Sequence, residues 1–411
     1  MQPSSSNSLA QYALVTGNYW AFTLTDGALR MLVVLHFYSL GYDAFSIALM
    51  FLFYELFGVV TNLLGGYFGA WVGLNRIMNI GLGLQIVALC MLLVSPHMLT
   101  VAWVMAAQAL SGIAKDLNKM SAKSAVKLLA PSNQSASLYR AVALLTGSKN
   151  TLKGVGFFMG GALLGSVGFT SSILIMVASL SIVWLFSLVL LKTDLGRHKH
   201  KPNIALLLSK SVAINRLSGA RLCLFAARDV WFVVALPVYL AQQLSWEHWQ
   251  VSSFLAMWVI GYGLVQIMAP VLTQKPHQKT LTHTLILAHK SAFKWQSMLS
   301  VIPVFIAYGL YMQWQASVVL ILGLGVFGIV FAVNSSLHSY LILAMSTKDK
   351  VAMDVGFYYM ANACGRLLGT VLSGFVFLQF GFIACLLLST LLVVFAAFIT
   401  YGLAKPVPIN S

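Results

Sequence analysis

Twelve runs of apolar residues, each about long enough to cross a lipid bilayer, follow one another along the 411 residues of this chain. Nothing else in the sequence limits the fold so strongly. A helical span needs about 20 such residues, because a backbone surrounded by hydrocarbon must satisfy its own N–H and C=O groups. The runs are read over 14–39, 44–70, 77–95, 99–121, 150–168, 171–191, 217–241, 250–272, 295–312, 316–345, 355–379 and 382–403. Composition agrees: 59% of residues are hydrophobic and 8% charged, against about 25% charged in a soluble domain. The mean hydropathy is +0.86. The expected fold is an all-α polytopic membrane protein.

The formal net charge is +16, which in a soluble chain would suggest nucleic acid. Its placement points elsewhere. With the N-terminus inside, the outer connections read GYDA, SPHM, GFTS, QQLSWEHWQ, MQWQ and QFGF, with no Lys or Arg. Of the 25 basic residues, 23 fall in inner loops or at inner helix ends, which leaves Arg30 and Arg366 within spans. This is the positive-inside pattern, so both termini are expected in the cytoplasm and no nucleic acid as partner. The segment MQPSSSNSLAQY has neither the basic region nor the cleavage site of a signal peptide. Cys90, Cys223, Cys364 and Cys385 are scattered through apolar runs, so no disulfide frame, metal or cofactor is expected. The most polar stretch, KTDLGRHKHKPN, follows the sixth span. It divides the chain into a six-helix bundle over 1–191, a central cytoplasmic loop over 192–216 and a second six-helix bundle over 217–411.

The halves resemble each other. A shift of 213 carries Lys153 onto Arg366, Gly156 onto Gly369, Gly161 onto Gly374, Gly168 onto Gly381 and Phe169 onto Phe382. A shift of 203 carries Asp26 onto Asp229 and Gly58 onto Gly261. Two parallel repeats of six helices resemble the plan of the major facilitator superfamily, so the fold class expected is a major facilitator fold with 12 transmembrane helices in two six-helix repeats.

Charge inside a membrane helix is expensive and marks function by default. Asp26 and Arg30 lie one turn apart in TLTDGALRMLVV. They read either as a self-neutralising pair or as an anion ligand, Arg30, oriented by Asp26. Arg228 and Asp229 are adjacent and point about 100° apart, so they are expected not to share a face. Arg228 reads as a cavity residue or as an inner-end anchor. Lys153 and Arg366 suggest a basic lining on both halves, or caps on neighbouring carbonyls. Lys115, Lys119, Lys123 and Lys127 form a row down one helix, drifting about 40° per step. Lys115 and Lys119 are expected at membrane depth, lining a cavity mouth. Lys123 and Lys127 are expected beyond it, as anchors on anionic lipid. Asp116 is expected to point away from the row. Glu55 is the acid deep in the second span and the proton-coupling candidate. Asn334 and His338, with Asn62, Gln108, Ser335, Ser336 and Tyr340, read as solute ligands or as helix–helix glue. No GxxxxGK[ST] loop is present, so transport is expected to be driven by a gradient or by exchange. From these residues alone the chain reads as a secondary transporter, not an enzyme. Its solute would be a small organic anion, phosphorylated by preference, since arginine grips phosphate and carboxylate bidentately.

Four segments carry a closer resemblance: YELFGVVTNLLGG (54–66), QALSGIAKDLNKMSAKSAVK (108–127), NSSLHSYLILA (334–344) and GFYYMANACGRLLGT (356–370). They are similar to those of the organoarsenical efflux permease family, ArsJ, and the likeness runs over nearly the whole chain. The resemblance implies arsenate resistance by export of 1-arseno-3-phosphoglycerate from a bacterium, across its plasma (inner) membrane. It also implies glyceraldehyde-3-phosphate dehydrogenase as functional partner, since that enzyme makes the ester when arsenate replaces phosphate. The ester is anionic at both ends. We expect Arg30 and Arg228 toward one end and Lys115, Lys119, Lys153 and Arg366 nearer the other, with Asp26, Glu55 and Asp229 as charge or proton partners. The wider superfamily's loop G-x-x-x-D-R-x-G-R reads GYFGAWVGLNR here, with Ala70 for the acid and Trp71 for the Arg. Two rival readings are an organophosphate/phosphate exchanger, which would share the basic cavity, and a proton-coupled multidrug exporter, which would want an acidic, apolar one.

Overall fold

The structure, a computed structural model, describes residues 5–42, 50–129, 135–191, 195, 211–246, 248–273, 281–347 and 350–402. Most of the expected central loop, 192–216, and the last two residues of the outer connection GYDA lie outside them. Helices follow in the order α1 Ser5–Ser39, α2 Leu52–Val72, α3 Leu74–Met91 and α4 Val101–Leu129. Then come α5 Ser135–Leu190, α6 Val212–Phe232, α7 Ala235–Gln243, α8 His248–Thr273, α9 Leu281–Tyr311, α10 Ala316–Met345 and α11 Val351–Tyr401. A short 3-10 turn, Pro96–Met98, links α3 to α4.

Two helices are too long to be single spans. At 1.5 Å per residue the 56 residues of α5 would reach about 84 Å. Each is broken by one glycine: Gly168 has φ 76 and ψ 177, and Gly381 has φ 78 and ψ −177. Positive φ is the region only glycine enters freely. These are positions the 213 shift pairs, and they separate the expected spans 150–168 from 171–191 and 355–379 from 382–403. The seventh span is interrupted instead, between α6 and α7. Pro237 denies the carbonyl of Val233 its helical partner, and Ser373 Oγ accepts from the freed N–H groups of Val234 and Ala235 at 3.3 and 3.0 Å. With both arms of α5 and α11 counted and α6–α7 taken together, twelve membrane-length segments run through the described residues.

Helices extend past the apolar runs at the basic ends. The helix expected over 99–121 runs to Leu129, and the one expected from 295 begins at Leu281. Hydropathy reports where hydrocarbon ends, whereas backbone hydrogen bonding continues into the polar layer.

The chain forms two compact units. The first takes residues 1–131, 148–209 and 346–360, and the second 132–147, 210–345 and 361–411. In the first, α1 packs on α5 through glycine. A methyl group on Gly27 would meet the Lys153 carbonyl at 2.7 Å, and one on Gly156 the Leu24 carbonyl at 2.6 Å. Small residues let membrane helices approach where lipid offers no hydrophobic drive. In the second, the Trp231 ring stands edge-on to Phe327 and Trp258, with centroids 5.1 and 5.9 Å away. Gly369 gives the matching close approach, where a methyl group would meet the Ala226 carbonyl at 2.7 Å. The repeat recurs at the other ends. His36 stacks on Phe169 at 4.0 Å, and Tyr239, its partner under the 203 shift, stacks on Phe382 at 4.7 Å.

Candidate functional site

In the first unit α1, α2 and α4 bring six charged side chains together. Gly112 of α4 makes this possible, because any side chain there would overlap the Tyr54 backbone of α2. Tyr54 is buried, and its hydroxyl donates to Asp26 Oδ1 at 2.6 Å. Its ring lies 4.5 Å from the Arg30 guanidinium carbon and 3.7 Å from Lys115 Nζ. Both cations therefore lie within cation–π range of one ring, a contact worth about 0.5–2 kcal/mol each depending on desolvation. Arg30 Nη2 meets Glu55 Oε1 at 3.3 Å, and Lys115 Nζ lies 3.7 Å from Glu55 Oε2.

Several expectations are corrected here. Asp26 does not hold Arg30; it takes the Tyr54 hydroxyl while Glu55 takes the guanidinium. Asp116 does not point away from the lysine row. It contacts Lys119 closely and lies 3.8 Å from Lys115 Nζ. The reason is on α2: a methyl group on Gly58 would sit 2.6 Å from Asp116 Oδ2, so glycine leaves the notch the carboxylate fills. Lys123 is not a lipid anchor. It is buried, donates to Tyr359 Oη at 2.5 Å, and lies 4.8 Å from the Tyr359 ring. Lys119 approaches the same ring at 4.9 Å. Lys127 is half-buried in the last turn of α4. Lys153 lies 5.8 Å from the Phe157 ring.

In the second unit Asp229 is fully buried and takes two arginines. Arg228 Nε donates to Oδ1 at 2.6 Å and Arg366 Nε to Oδ2 at 3.4 Å. Adjacent residues do meet, contrary to expectation, because the arginine stem is long enough to curl back to its neighbour's carboxylate. The buried Arg221 was not singled out in the sequence. It donates to Asn362 Oδ1 at 2.9 Å and to Ser335 Oγ at 3.1 Å. Its spacing of two helical turns from Arg228 was the available signal. Both guanidiniums flank Phe225, at 4.0 and 4.8 Å, as Arg30 and Lys115 flank Tyr54. His338 pairs with Gln296 at 2.9 Å, and Asn334 Nδ2 donates to the Val330 carbonyl at 3.3 Å. Both lie in a fully buried part of α10. Asn62 likewise donates to its own helix, at Gly58 O.

The two clusters differ in charge. Arg30, Lys115 and Lys119 stand against Asp26, Glu55 and Asp116. Arg221, Arg228 and Arg366 stand against Asp229, a formal excess of two positive charges among these residues. Such groups in a low-dielectric fold attract an anion strongly.

The family model described as "Major Facilitator Superfamily" matches residues 15–293. No curated protein matches the sequence. Among solved structures, the human organic anion transporter MFSD10 (TETRAN) superposes with a TM-score of 0.72 at 18% identity, covering 97% of this chain and 100% of that one. The E. coli fucose:proton symporter FucP gives 0.73 at 12% identity, over 97% and 100%. A bacterial homologue of the iron transporter ferroportin, in an outward-facing state, gives 0.71 at 13%, over 95% and 100%. At these identities the likeness is one of fold.

Proposed function

The chain belongs to the major facilitator superfamily, and on that premise we propose that it is a secondary exporter of a small phosphorylated organic anion, the arseno-ester 1-arseno-3-phosphoglycerate. The observation that carries this reading is the arginine excess around Asp229. Two guanidiniums share one buried carboxylate and a third lies along the same helix, a donor set suited to an oxyanion. The cluster on α1, α2 and α4, with its cations spread over Tyr54, offers a second place for an oxyanion. The four ArsJ-like segments supply the choice of ester. The solute ligands are Arg30, Lys115, Lys119, Lys153, Arg228 and Arg366, with Asn334 and His338 as polar contacts. Asp26, Glu55 and Asp229 are their charge partners.

The exporter would lie in the bacterial inner membrane with both termini cytoplasmic. Its six-helix halves, 1–191 and 217–411, would be joined by a cytoplasmic loop. Glyceraldehyde-3-phosphate dehydrogenase would supply the solute on the inner face. Inside-out vesicles given arsenate, glyceraldehyde-3-phosphate, NAD and the dehydrogenase are expected to accumulate arsenic, and only when that system is complete. Accumulation of 3-phosphoglycerate or phosphate without arsenic would identify an organophosphate exchanger instead.

A further inference from the structure

The first cluster carries its own counter-anions, and they are not equally held. Asp26 is 5% exposed and engaged by the Tyr54 hydroxyl at 2.6 Å. Asp116 is 2% exposed, seated in the Gly58 notch and in close contact with Lys119. Glu55 differs on both counts. Its side chain is 28% exposed, and its contacts to Arg30 and Lys115, 3.3 and 3.7 Å, are longer than the bonds by which Tyr54 holds Asp26 and Lys119 holds Asp116. Its carboxylate lies between the two cations that rest on Tyr54. The groups facing it are Arg30 from α1, Lys115 and Asp116 from α4, and Tyr54 from its own helix, while Asp26 acts on the same Arg30 and Tyr54. A carboxylate and a phosphate or arsenate oxygen pair ask the same of a guanidinium and an ammonium.

We infer that Glu55 is an internal surrogate ligand: its carboxylate occupies the solute's oxyanion position on Arg30 and Lys115 and must leave for the solute to bind. This rests on the anion-transport reading above. It follows that protonating Glu55 frees the site, so oxyanion affinity rises as pH falls. The position matching Glu55 in the second unit carries no carboxylate. The 203 shift that carries Gly58 onto Gly261 carries Glu55 onto Trp258, whose indole N–H donates to the Leu324 carbonyl at 2.8 Å.

The test is calorimetric binding of inorganic sulfate, an oxyanion whose charge stays constant, to the purified full-length protein at a series of pH values from neutral downward. Wild-type affinity is expected to rise through this interval. Glu55→Gln is expected to bind about five- to tenfold more tightly at neutral pH, because two partly exposed ion pairs no longer compete, and to lose the pH dependence. Weaker binding by Glu55→Gln, or a wild-type pH profile in it, would overturn the inference. Should that variant fail to fold, Glu55→Asp keeps the charge but retracts it by one methylene. It is expected to bind sulfate more tightly than wild type at neutral pH, and weaker binding would refute the surrogate role. Equal binding by wild type and Glu55→Gln removes the surrogate role and leaves the anion reading intact. Vesicles that take up no arsenic while Glu55→Gln still outbinds wild type would remove the arseno-ester and leave the surrogate role intact.

Discussion

A ring shared by two cations recurs three times: Tyr54 with Arg30 and Lys115, Phe225 with Arg221 and Arg228, and Tyr359 with Lys119 and Lys123. The π face draws each cation, and the covalent anchors of the ring fix how far apart the two stand. Like charges are thereby held near one ring, and in the Tyr54 pair the Glu55 carboxylate also bridges them. Tyr54 does a second thing through its hydroxyl, and the two roles separate by mutation. Tyr54→Phe keeps the ring and loses the bond to Asp26. It is expected to lower stability by about 1.5–3 kcal/mol, the range for a hydrogen bond to a charged group, while the KM for solute stays near wild type. Tyr54→Leu also removes the platform and is expected to raise KM several-fold. Thermal unfolding of the purified protein and initial rates in vesicles read the two effects. A KM unchanged in Tyr54→Leu would show that the ring positions nothing.

At the level of elements, glycines act in two physically distinct ways. Gly168 and Gly381 hold positive φ with nothing within 4 Å of where a Cβ would be. Their task is conformational. Alanine there is expected to cost about 1–3 kcal/mol each, the penalty for a residue with a Cβ at positive φ with ψ near 180°, a conformation essentially confined to glycine, measurable as a lower Tm with transport retained. Gly112 and Gly58 have ordinary helical backbone and are needed for space, one for the Tyr54 main chain and one for the Asp116 carboxylate. The breaks in α5 and α11 were legible in the sequence because the glycines recur at the 213 shift with phenylalanine after each. The notch at Gly58 was not, because a glycine in an apolar helix gives no sign of which neighbour fills the gap. The depth of Lys123 was misread for a related reason. Hydropathy ends α4 near residue 121, but the helix continues to Leu129, and its last turns are covered by protein.

Across the whole molecule, the repeat is kept in the frame and relaxed at the charges. His36–Phe169 and Tyr239–Phe382 match, as do the two glycine breaks. The clusters do not, since Glu55 has a tryptophan as partner and Arg221 has Gly17 at minus 204 and Asn18 at minus 203. A solute with two unlike anionic ends has use for such asymmetry. Orientation belongs to this scale too. A cysteine in place of His198, in the stretch KTDLGRHKHKPN outside the described residues, is expected to react with an impermeant maleimide in inside-out vesicles and not in intact cells. Labelling in intact cells would reverse the topology.

The sequence by itself determined that the chain crosses a bilayer many times, that the halves repeat, and which spans carry charge. Those properties follow from one-dimensional facts: run length, the cost of unpaired backbone in hydrocarbon, and periodic spacing. Only the tertiary structure decided which charges meet. Asp26 passed from Arg30 to Tyr54, Glu55 moved onto Arg30 and Lys115, Asp116 turned into the lysine row, and Arg228 curled back to Asp229. Long flexible side chains reach across helices, so their pairing depends on which backbones glycine allows to come close, and helical spacing alone does not contain that distance.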